Sequence, residues 1–404
     1  MKQKVVIIGG GAAGFFTAIT VAETNPNLEV IILEKGNKVL QKVKVSGGGR
    51  CNVTHACFDP KELIEFYPRG RKELLGPFHQ FMTGDTMEWF ESRAVKLKIE
   101  VDNRVFPISN SSQTIIDCLM KSAEKAGVVL KLNQKVDAIS KVNNQFKIVS
   151  STEMFLADKL VITTGSNPKF WNIIEGLGHT IVAPVPSLFT FKISDERLKE
   201  IPGISVTNAT ISIVGFPLEI AGPLLITHWG MSGPAVLKLS AFGARFLAEK
   251  NYQYNIHVNW LSKPFNTVLN ELKALKIEQL KKHVHLKSVF QEIPRRLWEK
   301  LVIAAEIKMD ARWADLSNKQ LENLANQLTK TVLNANGKTT FKEEFVTAGG
   351  IDLKEIDFKR FESKIHKNLF FAGEVLNIDA VTGGFNFQNA WTGGYIAGKA
   401  MAAL

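Results

Sequence analysis

Cysteine is scarce in this 404-residue sequence, with only Cys51, Cys57 and Cys118. So sparse and odd a set excludes a secreted disulfide scaffold and fits a reducing cytoplasm, where the protein is expected to reside. No Cys-x-x-Cys pair occurs. Cys51, His55 and Cys57 find no distal cluster to complete a tetrahedral set, so no metal site is expected. Nor does any window supply the roughly 20 uninterrupted apolar residues of a membrane span. The apolar stretch from Val5 to Ala22 imitates a secretory signal, but Gly9-Gly10-Gly11 interrupts it and no small-residue cleavage site follows. Acidic residues are also short, 39 against 50 basic, and the resulting charge of +11 favours a polyanionic partner without identifying one. A hydrophobic share of 45% excludes the disordered, collagen-like and coiled-coil classes. The length is enough for two or three domains.

The N-terminus carries the first positive signal. Val5 to Ile8 is a β-branched run suited to a strand buried on both faces of a parallel sheet. A glycine turn follows, then a helical pattern from Ala12 to Ala22, and strand character returns from Glu29 to Leu33. Gly9-x-Gly11-x-x-Gly14 therefore sits in the strand-to-helix turn of a βαβ unit, with Glu34 twenty residues beyond Gly14. In such a turn Gly9 permits the tight bend, Gly11 lets backbone approach a pyrophosphate and Gly14 lets helix and strand pack closely. Ala12 and Ala13 start the helix whose positive end meets the phosphates. Glu34, with Lys35 beside it, would accept hydrogen bonds from ribose hydroxyls, which favours FAD or NAD over a 2′-phosphorylated nucleotide.

A second glycine-rich stretch runs from Lys42 to Thr54 without strand periodicity and reads as a cofactor-facing loop. Gly47, Gly48 and Gly49 remove bulk where a flat ring approaches, while Ser46, Arg50, Asn52 and Thr54 supply polar contacts. Cys51 is either a proton donor or a small buried hydrophobe. Gln113 to Ala126 reads as a helix, Val128 to Leu132 as a strand, and Val136 opens another strand-like segment. Lys159 to Gly165 reads as a strand closing on a small-residue turn at Thr164-Gly165, where chain passes close to a dinucleotide, before Ser166-Asn167-Pro168 breaks the pattern.

From about Pro186 the character changes to β segments at Phe189 to Ile193, Thr207 to Val214 and Tyr252 to Val258, followed by polar helices from Asn266 to Ala325. Residues 191–340 hold 20 basic against 13 acidic residues, a surplus of seven, so this module carries most of the net charge. A solvated helix face and an RNA-binding face account for that surplus equally well. Strand chemistry resumes at Asn368 to Glu374 and leads through 379–390 into a helix expected from Trp391 to Ala402. No other Gly-x-Gly-x-x-Gly follows a strand, so NAD(P)H is expected only as a transient electron donor.

Together these motifs resemble the BaiN/RdsA (YhiN-like) family of FAD-dependent oxidoreductases, within the glutathione-reductase-like flavoproteins. The resemblance spans essentially the whole chain. It rests on the turn 9–14, on Lys42 with Ser46 to Asn52, on Thr227-His228-Trp229-Gly230-Met231-Ser232-Gly233-Pro234, and on Ala372 to Leu376 with Thr382 to Asn386. It implies an α/β architecture, a discontinuous Rossmann-like FAD-binding domain of residues 1–188 and 342–404 with an inserted β-rich and helical domain, 189–341, on the substrate side. It implies that Glu34 holds the ribose, that Val136 contacts the adenine through its backbone, and that Gly373, Glu374, Asp379, Gly384, Phe385 and Asn386 surround the isoalloxazine and pyrophosphate. Two departures stand out. Thr163-Thr164-Gly165-Ser166 replaces the usual Ala-Thr-Gly-Gly, and His55 replaces a frequent Asn, which bears on the substrate side.

Members of the family have been associated with uridine reduction in large-subunit ribosomal RNA, with bile-acid double-bond reduction and with amine oxidation, all by hydride movement through flavin. The leading expectation is therefore an FAD-dependent reductase forming dihydrouridine in ribosomal RNA, with the basic insert gripping phosphates. The alternatives are a reductase or oxidase of a small molecule and a non-catalytic flavin-bearing protein. Cys51, His55 and His228 are the candidate proton donors. The oligomeric state is not legible.

Overall fold

The computed structural model describes residues 2–339 and 346–403. Its contacts divide the chain into two units, Met1–Val185 with Val346–Leu404, and Pro186–Phe345.

In the first unit the β-branched run forms strand β1 (Lys4–Ile8), the glycine turn leads into helix α1 (Ala12–Thr24), and strand β2 (Glu29–Leu33) returns beside β1 in parallel. Val5 to Ile7 are fully buried, as a two-sided parallel strand requires. A seven-stranded sheet is built around them in the order 356–357, 362–363, 369–371, 159–162, β1, β2, 129–131. The five strands from Leu369–Phe371 to Val129–Lys131 are parallel, and the two short ones at the far edge are antiparallel. The α1 helix packs against the C-terminal helix Phe385–Ala402 along a seam of small residues. A Cβ on Gly398 would lie 2.7 Å from the Thr20 Cβ, so the helices touch nearly backbone to backbone. The unit also contains two three-stranded antiparallel sheets: strand Val136–Val142 opens one of them, and Thr54–His55 lies in the other.

Several local readings differ from the structure. The stretch from Gln41 is helical before it breaks at Ser46, whose ψ of 150° ends the turn ahead of the three glycines. Asn167-Pro168 starts a helix, Pro168–Gly176, because Asn167 accepts from the Lys169 N–H and proline suits the first helical position. The C-terminal helix begins at Phe385, six residues before Trp391, directly after Gly384 in the left-handed region (φ 94°). Helices at Pro60–Leu63, Arg71–Phe78 and Thr83–Glu91 occupy a region that showed no clear periodicity.

In the second unit six antiparallel strands close into a barrel in the order 190–193, 230–232, 219–227, 205–213, 253–259, 331–339. Gln253–Asn259 shows the reason: Tyr254, Ile256 and Val258 alternate inward into one core while the residues between them face out. The helices Phe265–Glu278, Arg295–Ala304 and Asn318–Thr329 contribute Leu272, Trp298, Leu301 and Leu324 to the same core. Among the described residues no helix is long and apolar enough to cross a membrane.

Candidate active site

Strand order in the parallel sheet reverses between β1 and Lys159–Ile162, and open α/β sheets bind ligands at the carboxyl ends of strands flanking such a point. The three motif glycines lie there and differ physically. Gly9 has φ 114°, and a Cβ on it would meet the Thr163 carbonyl oxygen at 2.6 Å, while a Cβ on Gly14 would lie 2.0 Å from the Gly9 oxygen. Those two serve the chain's own packing. A Cβ on Gly11 meets nothing within 4 Å, so the protein itself does not fill the space there. Gly11 caps α1 without a side-chain hydrogen bond, and the first turn has no acidic residue. The N–H groups of Ala12, Ala13 and Gly14 therefore point out of the helix end with its positive dipole, the arrangement that receives an anion.

Glu34 joins this turn to the next loop, accepting from Gly10 N–H at 2.8 Å and Gly36 N–H at 2.9 Å. A carboxylate has about four acceptor positions, so two stay free for hydroxyl donors. Lys35 is exposed and Val136 is buried at the start of its strand.

The second glycine loop is open in the same sense. Gly48 and Gly49 have positive φ, and a Cβ on either meets nothing within 4 Å. The buried Asn52 Oδ1 and Thr164 Oγ1 lack a hydrogen-bond partner. Unsatisfied buried oxygens are rare and call for a ligand or solvent donor. Lys42 pairs with Glu374, and a Cβ on Gly165 would lie 3.7 Å from that carboxylate and 3.9 Å from the ammonium, so these three converge. Ser46 is spent on the Val43 carbonyl, at 2.9 Å. Arg50 bonds Glu100 at 2.7 Å and lies 3.9 Å over the Phe106 ring, and its backbone N–H donates to the Gly47 oxygen at 3.4 Å.

From the C-terminal segment, a Cβ on Gly373 would lie 3.1 Å from the Ala13 Cβ, at the start of α1. Asp379 is wholly buried and ion-paired with Arg69. Asn386 grips Ala380 twice, accepting from its N–H at 3.0 Å and donating to its oxygen at 3.1 Å, which sets the loop ahead of the helix. Gly384 passes so close to Thr54 that a Cβ would lie 2.6 Å from its carbonyl carbon. Phe385 stacks on Phe66 at 4.2 Å and on His55 at 4.5 Å. Arg69, Phe66 and Tyr67, whose hydroxyl donates to the Phe385 oxygen at 2.6 Å, escaped sequence reading because their segment has no periodicity.

The three candidate proton donors differ sharply. Cys51 has no exposed surface, and burial pushes its thiol up to about 12. His55 is half-buried, and that burial lowers its pKa, so it is neutral near pH 7. Its Nδ1 lies 3.2 Å from the Gly383 oxygen, which assigns the proton to Nδ1 and leaves Nε2 an acceptor. His228 belongs to the other unit, where it is exposed on the turn between strands Glu219–Thr227 and Gly230–Ser232. Among the described residues no group of three His, Cys, Asp or Glu side chains is placed to hold a metal ion.

Known proteins resemble this chain over nearly its whole length. The chain is 26% identical to a 3-dehydro-bile acid delta(4,6)-reductase of Clostridium scindens over 99% of each protein. It is 28% identical to a ribosomal RNA dihydrouridine synthase of Haemophilus influenzae over 96% of each, and 27% identical to one of Escherichia coli over 100% of this chain and 98% of the relative. A 3-ketosteroid-delta4-(5alpha)-dehydrogenase of Rhodococcus jostii shares the fold, with a TM-score of 0.52 at 13% identity over 100% of this chain and 97% of that one. The model for the HI0933-like protein Rossmann domain matches residues 3–400. The chain belongs to this HI0933-like Rossmann-domain family and is an FAD-dependent oxidoreductase.

Proposed function

We propose that this protein reduces a uridine of ribosomal RNA to dihydrouridine, using FAD held by the first unit. The cofactor supplies a hydride from its reduced ring, and the protein contributes binding, orientation and a proton. Gly11 and the N–H groups of Ala12 and Ala13 would receive the pyrophosphate in the turn that Gly9 and Gly14 allow, Glu34 the ribose, and Val136 the adenine. Gly47 to Gly49, Asn52, Thr164, Gly165, Lys42 and Glu374 would line the ring. The open space at Gly11, Gly48 and Gly49, together with the unpartnered oxygens of Asn52 and Thr164, supports this assignment. His228 is the proton donor in this reading, because Cys51 is sealed from solvent and His55 has no proton on its free nitrogen. NAD(P)H serves as a transient electron donor.

The RNA reading is carried by one surface of the second unit. Lys281, Lys282 and Lys287 are exposed on a segment that is otherwise fixed: Lys282 accepts from Trp313 N–H at 3.0 Å, Val284 N–H donates to Ala311 at 3.1 Å, and the Trp298 indole donates to Val284 at 2.8 Å. Exposed ammonium groups on a fixed backbone suit contact with phosphates. Two relatives that cover nearly the whole chain are named for this reaction. The bile-acid reductase relative favours a second reading, a small unsaturated substrate, for which those lysines have no role.

Salt separates the two. Three neutralised phosphates on a single strand predict an affinity loss on the order of tenfold or more between 50 and 200 mM salt. The test is dihydrouridine formation by the holoenzyme on unmodified ribosomal RNA with substrate below saturation. A steep loss of rate with salt supports RNA, whereas no product at any salt, with turnover of a steroid-like enone, establishes the second reading.

A further inference from the structure

His55 lies where the second glycine loop meets the loop ahead of the C-terminal helix. It ends the short strand Thr54–His55, three residues past Asn52. A Cβ on Gly384 would lie 2.6 Å from the Thr54 oxygen, and one on Gly383 would lie 3.3 Å from the His55 Nδ1. The strand is paired to its neighbour, Thr54 with Val105 and His55 with Arg104. Thr54 is further tied by its hydroxyl to the buried Gln388 amide oxygen, at 2.6 Å, and Gln388 accepts from Thr86 as well, at 3.0 Å. The imidazole lies 4.5 Å from the Phe385 ring, which is itself stacked on Phe66 at 4.2 Å and 12°. Backbone, ring face and Nδ1 are all held, so the direction of Nε2 is set before a substrate arrives.

Nε2 has no partner among the described residues, and unlike the Asn52 and Thr164 oxygens it is not sealed inside the protein. A carbonyl oxygen can only accept, so the Gly383 contact at 3.2 Å places the proton on Nδ1 and a lone pair on Nε2. Partial burial keeps the ring neutral. Arg104 adds to that effect and Asp102 opposes it. A fixed acceptor beside the loop assigned above to the flavin ring selects what it faces. A pyrimidine joined to ribose through N1 is read on its opposite edge. In uracil that edge is one N–H donor, at N3, between two carbonyl acceptors. In cytosine N3 is a bare lone pair, which an imidazole lone pair repels. The enone of a steroid-like substrate brings an acceptor alone.

We infer that the His55 Nε2 accepts the N3–H of the target uracil, which makes it the contact by which the site takes uracil and turns cytosine away. This rests on the RNA reading and adds to it the group that recognises the base.

The test uses the FAD-loaded protein and a ribosomal RNA fragment carrying either uridine or N3-methyluridine at the position the parent reduces, with the reduced nucleoside read by mass spectrometry. Methylation removes the donor, and the parent should lose about 5- to 100-fold in kcat/KM. His55→Phe keeps a flat ring against Phe385 without an acceptor, so it should be slower on uridine by a similar factor. Methylation should then cost that variant less than about threefold, because the contact is already gone. His55→Leu repeats the comparison without a ring, and visible absorbance identifies which variants hold flavin. An equal methylation penalty in the parent and in the flavin-holding variants overturns the assignment, and so does a parent indifferent to methylation. The RNA reading stands in both cases. A parent that reduces no uridine of ribosomal RNA overturns both.

Discussion

Glycine marks opposite things in the two units. At Gly11, Gly48 and Gly49 of the first unit the missing side chain borders open space, so those positions are shaped for something other than the polypeptide. At Gly230 and Gly233 of the second unit the same absence is filled by neighbouring backbone, at 2.3 Å and 2.8 Å from an added Cβ. Glycine there lets a small barrel close. The exposed cations Lys281, Lys282 and Lys287 of that unit stand instead on a segment held by backbone hydrogen bonds. The comparison teaches that a glycine count carries no functional meaning until each position is asked what a methyl group would touch.

This contrast is broken most directly at Gly11. Gly11→Val should lose at least nine-tenths of the bound FAD while its apoprotein unfolds within about 2 °C of the parent apoprotein, because no protein atom is displaced. Visible absorbance and a thermal melt measure both, and full flavin content would contradict the site. The next effect tests whether the second unit takes part in chemistry as well as binding. His228→Gln should slow product formation about 100-fold, the usual lower range for a lost general acid, with flavin content and its bleaching by reductant unchanged. Equal turnover would remove His228 from the reaction.

Gly230→Ala sharpens the contrast from the other side. It should cost about 1–3 kcal/mol of stability, read as a lower denaturation midpoint with flavin still bound, since the barrel strands must part to admit the methyl group. A neutral result would mean that the close approach is not required.

The smallest effect concerns acid. In the first unit His179 donates to Glu355 at 2.8 Å and lies 3.0 Å from the Ser363 hydroxyl, and burial lowers its pKa below the ordinary 6.5. The unfolded chain then takes up a proton at a higher pH than the folded one, so stability is complete above about pH 6.5 and declines as pH falls below it. A lower midpoint at pH 5.5 than at pH 7.5 is expected, with a flatter profile for His179→Gln. An unchanged slope in that variant would assign the acid sensitivity elsewhere, His55 included.

The sequence made the nucleotide-binding core legible because that signal is local. A β-branched run, three glycines at fixed spacing and an acidic residue after the next strand lie within 34 residues, and β1, α1 and β2 form where that pattern places them. What was not legible depends on distant partners. Arg69 and Asp379 are 310 residues apart, and Phe66 finds Phe385 only after folding. Alternation in Gln253–Asn259 marks a strand, but closure of six strands into a barrel is a property of the whole set. The start of the C-terminal helix was displaced because Asn386 reads as a loop residue until its grip on Ala380 is seen. Composition placed the change of character near residues 190 and 340, and the contact division falls at 185/186 and 345/346.

The central claim is that FAD bound at the Gly11 turn reduces uridine in ribosomal RNA. Nucleoside mass spectrometry of ribosomal RNA from cells lacking this gene, and from those cells carrying either the parent or Gly11→Val form, measures it most directly. The account predicts a dihydrouridine that disappears with the gene, returns with the parent and does not return with Gly11→Val. A dihydrouridine content identical in all of these cells would contradict it.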